Sequence, residues 1–178
     1  MQNCSFRLVL LLTAIALLAL NGCANYEWNK PALPFKTIYV QPATNDSLAP
    51  QAQASLSTQI RQALIRDGRL QIVSKPSKAE AILQVNLTQY RRNTGARSSV
   101  DTEIALAFDL TLEAQIALYN TSNQDYYFKS RTIRANTNAL SNIPETGEDT
   151  LSLSEYQAMP RLTLNLGHKI ANEILSVW

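Results

Sequence analysis

Three arginines lie close together in the stretch QYRRNTGARSS, where their side chains could bind phosphate. Arg91, Arg92 and Arg97 all belong to it, and Tyr90 is next to the first of them. A guanidinium group carries its N–H donors in a plane that matches the oxygens of a phosphate. Beside an aromatic ring, such a cluster could hold an anionic amphiphile. The alternative is a charged hairpin end that keeps a sheet soluble and blunts its edge.

No other group of residues is typical of catalysis, of a bound metal or of a cofactor. His168 is the only histidine, and it lies on a predicted helix without an obvious acidic or cysteine partner. The acidic residues between Asp101 and Glu113 alternate along a predicted strand, and a solvated face explains that spacing. The sequence has five glycines in all and lacks the phosphate-loop, dinucleotide, hydrolase and zinc-protease motifs. We therefore expect no enzyme, no catalytic residue, no metal and no cofactor.

Cys23 follows an apolar segment with the length of a signal-peptide core. Residues 8–20 (LVLLLTAIALLAL) carry no charge and come after Arg7. The segment is shorter than the roughly 20 residues that a membrane-spanning helix needs, and it fits the central region of a signal peptide. The next residues, LNGC, resemble a bacterial lipobox, although Asn21 is less usual there than Ala or Ser. The alternative is a buried N-terminal helix with an incidental cysteine.

The lipobox implies a defined covalent chemistry at Cys23. In that chemistry the thiol receives a diacylglyceryl group, the chain is cut before the cysteine, and the new amino terminus is acylated. Two or three acyl chains make a durable membrane anchor, whereas a single chain binds only marginally. Ala24 stands where many inner-membrane lipoproteins have aspartate, so the outer membrane is favoured. Residues 1–22 are thus predicted to be a lipoprotein signal peptide.

Charge and cysteine content narrow the class of protein further. The chain has 16 Lys and Arg residues against 14 Asp and Glu residues, and cleavage after Gly22 removes only Arg7. A nearly neutral chain is unlike a nucleic-acid binder, which has a basic excess. Cys4 would leave with the signal peptide and Cys23 would carry lipid, so no disulfide is expected.

The hydrophobic pattern divides the mature chain into a tether and one domain. Residues 23–35 hold prolines without periodicity and are predicted to form a lipid-anchored tether. Residues 36–178 are predicted to form a single two-layer α/β (α+β) domain: a mainly antiparallel sheet of about four to five strands, with two helices packed on one face. The predicted order is β-α-β-β-β-β-α. The elements are strand 36–42, a helix from about Pro50 to Asp67, strands 69–74, 81–88, 100–118 and 126–136, and a C-terminal helix from Ser152.

Two patterns within this domain are especially informative. Residues 100–118 alternate between apolar and polar side chains almost throughout. This is typical of a strand with one face on the core and the other on water or a polar partner.

Ser152 and Glu155 have the spacing of a helix capping box. Pro160 would then lie inside that helix and either kink or restart it.

Taken in order, these segments resemble the lipopolysaccharide-assembly lipoprotein family LptE. The resemblance covers most of the mature chain. It rests on the lipobox cysteine with a short aromatic tether (GCANYEW), on PFKTIYVQPATND, on the helix end QIRQALIRDGRLQIVS, on the strand AEAILQVNLTQYRRN, on the long alternating strand and on the C-terminal helix.

The resemblance implies an outer-membrane lipoprotein, anchored on the periplasmic side, whose partner is the β-barrel LptD. Family members sit as a plug inside that barrel, help it assemble and assist the delivery of lipopolysaccharide to the cell surface. The family is associated with lipopolysaccharide binding through basic residues, which maps by segment onto Arg91, Arg92 and Arg97. The alternative is a periplasmic scaffold or secretion-pore lipoprotein of the CsgG or TolB N-terminal type. Such proteins also begin with a strand, a helix and a second strand, and would be oligomeric.

Overall fold

The computed structural model describes residues 32–97, 105–140 and 150–177, and within them it has six strands and two α-helices. A short 3-10 turn, Pro76–Lys78, precedes the first long strand. The predicted two-layer α+β class is confirmed, although one two-residue strand, β2, has no counterpart in the prediction. In chain order the elements are β1 (Thr37–Val40), β2 (Thr44–Asn45), α1 (Ala52–Asp67), β3 (Gln71–Ile72), β4 (Ala81–Arg97), β5 (Ala105–Asn120), β6 (Asp125–Leu140) and α2 (Thr150–Leu175).

The strands of the described residues form one mixed sheet in the order β3-β1-β4-β5-β6, and β2 pairs with β4 further along the same edge. The short strands are parallel to their neighbours: β1 to β3 and β4, and β2 to β4. The long strands β4, β5 and β6 form an antiparallel meander. β1 comes first in the chain but lies inside the sheet, between two strands that follow it.

Alternate residues of the long strands build one side of the core. From Phe108 to Leu118 the inward residues of β5 are buried, which confirms the alternation that the sequence predicts for this part of the strand. Residues 100–104, which the prediction included, lie outside the described residues. The buried side chains of the central pair are Ala81, Leu83, Val85 and Leu87 on β4, and Phe108, Leu110, Leu112, Ala114, Ile116 and Leu118 on β5.

Helix α1 is amphipathic and ends where the sequence predicts. Gly68 follows its last residue with a φ of 78°, and the N–H of Gly68 donates to the carbonyl of Leu64 at 3.3 Å. This left-handed conformation costs glycine no steric strain, which is why glycine so often ends a helix. The buried residues of the helix are Ala52, Leu56, Ser57, Ile60, Ala63 and Leu64.

Helix α2 runs continuously from Thr150 to Leu175 with Pro160 inside it. It therefore does not restart at Pro160, although the missing N–H of proline removes one helical hydrogen bond. The predicted capping box is wrong, because the helix begins before Ser152 and both carboxylate oxygens of Glu155 accept hydrogen bonds from β4 side chains. α2 packs closely against α1 at Gly167, where a Cβ atom would lie 2.8 Å from the Cβ of Gln59.

Candidate functional site

The long meander presents a polar face on the side of the sheet away from the helices. β4, β5 and β6 have 17, 16 and 16 residues, and at about 3.3 Å per residue they extend for roughly 50 Å. We call this surface the open face. The register places on it Gln84, Asn86, Gln89, Arg91 and Asn93 of β4, Asp109, Thr111, Glu113 and Gln115 of β5, and Thr132, Arg134, Asn136 and Asn138 of β6.

A β-bulge in β4 decides which residues reach the open face. Leu87 pairs with Ala114 and Gln89 pairs with Glu113, so Thr88 is the extra residue of the strand. A bulge of one residue reverses the alternation that follows it. Buried positions on β4 are odd-numbered up to Leu87, and the positions facing the helices are even-numbered beyond Thr88.

The bulge separates two of the predicted phosphate-binding arginines. Arg91 pairs with Thr111 and lies on the open face, whereas Arg92 pairs with Leu110 and lies on the helix face. Both belong to β4 and not to the hairpin end that the sequence predicts, because the strand continues as far as Arg97. The backbone of Arg97 pairs with Ala105, and its side chain lies outside the described part of the chain.

On the helix face, Arg92 belongs to a cluster that joins β4 to α2. Its guanidinium lies 2.9 Å from Glu155 Oε2 and 5.6 Å from the ring centre of Phe108. The hydroxyl of Tyr90 donates to the other carboxylate oxygen of Glu155. Burial, and then the hydrogen bond to Glu155 and its negative charge, raise the pKa of Tyr90 well above its usual range. The positive charge of Arg92 is therefore already used to hold the first turns of α2 on the sheet.

Arg91 has a different environment. Its side chain is exposed and donates a hydrogen bond to the side-chain oxygen of Gln89 at 2.5 Å. In the described residues no carboxylate forms an ion pair with it. Of the two arginines whose side chains are described, Arg91 is thus the one available to an anionic ligand.

Elsewhere on the open face, polar side chains bond to one another across the strands. Arg134 lies 2.6 Å from Glu113 Oε2, and this hydrogen bond, followed by the charge of Glu113, raises the pKa of Arg134. Gln115 donates to the Ser130 hydroxyl at 2.6 Å. Such exposed pairs contribute little to stability. They leave a surface of amides, hydroxyls and charges of both signs.

A shallow depression of about 330 Å³ lies on this face. Ala117 gives it room because its side chain is small, and Lys129 supplies a positive charge at its wall. The amide residues Gln84, Asn86 and Gln115 are also among those that line it. Amide and ammonium groups can bind a partner protein through hydrogen bonds and charge. Binding of this kind needs no catalytic group.

At the opposite end of the sheet, side-chain contacts hold the segment that leads into β1. The carboxylate of Glu80 accepts the backbone N–H of Lys36 at 2.5 Å and that of Thr37 at 3.3 Å, and these bonds lower the pKa of Glu80. Phe35 packs against Tyr127 with ring centres 5.2 Å apart. The chain thus joins the sheet at the end far from Arg92.

His168 and the acidic side chains form no metal site within the described residues. His168 lies half-buried on α2, and no ionisable side chain of the described chain forms an ion pair or hydrogen bond with it. Within residues 32–97, 105–140 and 150–177, no three His, Cys, Asp or Glu side chains are placed to hold a metal ion. Neither described α-helix is long and apolar enough to cross a membrane. Cys23 lies outside the described residues.

Comparison with known proteins decides the family. The family model LptE, described as lipopolysaccharide-assembly, matches residues 35–173, from the start of the sheet to the last turns of α2. The chain belongs to the LptE family. This confirms the resemblance that the sequence suggests. LptE is a family of non-enzymatic lipoproteins that act in lipopolysaccharide assembly.

Several solved structures have a fold similar to that of this chain. The hypothetical protein CT253 from Chlamydia trachomatis superposes with a TM-score of 0.57 at 10% identity, over 80% of this chain and 97% of that one. Protein XCC0632 from Xanthomonas campestris gives 0.57 at 14% identity, over 85% and 88%. An uncharacterized lipoprotein B from Nitrosomonas europaea gives 0.51 at 18% identity, over 85% and 88%. At these identities the similarity is one of fold. A search of curated proteins found no match.

Proposed function

We propose that this LptE-family chain is an outer-membrane lipoprotein that pairs with the LptD barrel, helps the barrel assemble and assists the delivery of lipopolysaccharide to the cell surface. In this proposal Cys23 carries the lipid anchor on the periplasmic side, and the open face docks inside the barrel. The observation that supports docking is the open face itself. It is a long, mixed-charge surface that the described helices do not cover.

The chemistry of the open face suits a barrel lumen. The inside of such a barrel is polar, so a plug needs hydrogen-bonding side chains of both polarities rather than an apolar patch. Ion pairs such as Arg134–Glu113 are already formed within the chain, so docking need not leave those two charges unpaired. The roughly 50 Å of strand length exceeds the hydrocarbon thickness of a bilayer, about 30 Å.

A matched pair of substitutions tests this docking. Ala117→Glu places a bulky charge in the depression of the open face, whereas Ala54→Glu makes the same change at an exposed position of α1. With the full chain solubilised in detergent and captured through an affinity tag, we expect Ala117→Glu to recover at least tenfold less LptD than Ala54→Glu. Equal recovery would contradict the docking face. A homo-oligomeric ring without any barrel would overturn the proposal in favour of the pore-type alternative.

Anchoring through Cys23 is tested separately. We expect Cys23→Ala to leave an uncleaved precursor or a chain that no longer sediments with outer membranes. Mass spectrometry of the wild-type N-terminus should show a diacylated or triacylated cysteine. Normal processing and fractionation of the variant would exclude the anchor.

For lipopolysaccharide, we propose that the guanidinium groups of Arg91, Arg92 and Arg97 contact phosphates of the lipid A region. Arg91 supports this most directly, since Arg92 is held by Glu155. A charge-assisted hydrogen bond contributes about 1.5 kcal/mol or more, so we expect Arg91→Ala to weaken binding about tenfold. Arg66→Ala, at an exposed site of α1, is the control. Unchanged binding by the triple alanine variant would remove the arginines from this role.

A further inference from the structure

β6 is an edge strand, and it is unusually long for one. In the described sheet it pairs with β5 on one side only, and it has 16 residues, where strands commonly have about 3–10. The free side of such a strand offers a row of backbone N–H and C=O groups. A row of this kind is a template on which a strand of another molecule can add.

Three side chains of α2 occupy acceptors along this row. Arg161 donates to the carbonyl of Asn138, Asn165 donates to the carbonyl of Asn136 at 3.5 Å, and Lys169 donates to the carbonyl of Arg134 at 2.8 Å. These carbonyls belong to alternate residues, whose backbone groups point away from β5 in an antiparallel pair. We call the three donors the edge row.

The spacing of the edge row matches that of the strand. Its residues are four apart on the helix, a rise of about 6 Å, while alternate strand residues are about 6.7 Å apart. Helix and strand run in opposite directions, so each turn of α2 meets the next outward carbonyl of β6. Four residues after Lys169 the same stripe continues with Glu173, which accepts a bond from the Arg131 side chain.

Arg161, the first residue of the edge row, is also held by a second contact. The Nε of Arg161 donates to the Thr137 hydroxyl at 2.6 Å, and Thr137 is buried. Arg161 is therefore held at the edge of the sheet by two residues of β6, Thr137 and Asn138.

We propose that the edge row closes β6 against strand addition by a second copy of this chain. A second copy is the partner that fits the unguarded edge, because two identical β6 strands can pair antiparallel about a two-fold axis. Such pairing needs the outward carbonyls of Arg134, Asn136 and Asn138, and the edge row both binds them and fills the space beside them. The proposal concerns the free chain and does not depend on the proposed function.

The test removes the donors from the full chain. The variant Arg161→Ala, Asn165→Ala, Lys169→Ala is compared in detergent with the control Arg66→Ala, Lys75→Ala, Asn172→Ala, which makes the same three kinds of change at exposed positions. By density-matched sedimentation we expect a dimer for the edge-row variant and a monomer for the control and the wild type. Amide exchange at residues 134–138 should slow at least tenfold when the edge-row variant is concentrated.

A folded, monomeric edge-row variant at the highest concentration reached would overturn the proposal. Because loss of Arg161 also breaks its bond to Thr137, a second variant, Asn165→Ala with Lys169→Ala, keeps that contact. Circular dichroism checks that each variant is folded. If both the triple and the double variant are folded and neither shows a dimer or slowed exchange, the edge row has no guarding role.

Discussion

Replacing Gly167 with alanine should destabilise the protein, although alanine is the better helix former. A Cβ at this position of α2 would lie 2.8 Å from Gln59 Cβ and 3.2 Å from both the carbonyl carbon of Gln59 and the nitrogen of Ile60. Two of these three contacts are to backbone atoms of α1, which cannot rotate away as the end of a flexible side chain could. The two helices must therefore move apart.

The expected change in the free energy of unfolding follows from two opposing contributions. Overfilling a packed interior costs about 1–3 kcal/mol, and exchanging glycine for alanine within a helix returns about 1 kcal/mol. We expect Gly167→Ala to lower the free energy of unfolding by about 1 kcal/mol, and by no more than about 2. For a chain of this size that corresponds to a fall in melting temperature of about 2–4 °C per kcal/mol.

Urea unfolding followed by circular dichroism measures this change, provided that the slope of the transition stays constant. Gln157, at an exposed position of the same helix, supplies the reference: there, alanine should be more stable than glycine by about 1 kcal/mol. The sign of the glycine-to-alanine change should thus be opposite at the two positions. If Gly167→Ala is as stabilising as the exchange at Gln157, the close approach of α1 and α2 is not present in solution.

Four single substitutions give further predictions. The pKa of Tyr90 is raised in the folded protein. Its contribution to stability is therefore complete below the ordinary tyrosine pKa of about 10 and is lost as pH rises above it. Between pH 9 and 11, Tyr90→Phe should lose less stability than the wild type, measured by urea unfolding. Glu155→Gln should lower the pKa of Tyr90 and make its ultraviolet titration begin at lower pH, and an unchanged titration would contradict the cluster. Leu112→Ala, at a fully buried site of β5, should cost about 2–5 kcal/mol, whereas Gly68→Ala should cost only about 1 kcal/mol from its left-handed conformation.

The regular parts of the fold follow from the sequence because their causes are local. The alternation around Leu110 and Leu112 reports a strand with one buried face, and Gly68 after an apolar stripe reports the end of a helix. The family also follows from the order of such segments. In each case neighbouring residues carry the whole signal.

The site is harder to predict because its contacts join distant parts of the chain. Glu155 has the local spacing of a capping box, yet its partner Tyr90 is 65 residues away. One signal was available: after Leu87, the next large apolar residue of β4 is Tyr90, three positions on instead of two. That change of phase marks the bulge at Thr88, and with it the separation of Arg91 from Arg92.

The edge row, too, can be predicted only in part from the sequence. The polar side chains of Arg161, Asn165 and Lys169 recur every four residues, so the sequence can place them on one stripe of a helix. It cannot show that the stripe faces the carbonyls of an edge strand, because that depends on how α2 crosses the sheet.

The position of β1 inside the sheet has a mechanical consequence. With the lipid anchor proposed at Cys23, any tension between the membrane and a docked open face reaches the domain through Thr37, at the start of β1. β1 is bonded to β3 on one side and to β4 on the other, parallel to both. Pulling along the strand loads those bonds together in shear, whereas a strand peeled from an edge would lose them one at a time. The attachment should therefore resist force better than its length of four residues suggests.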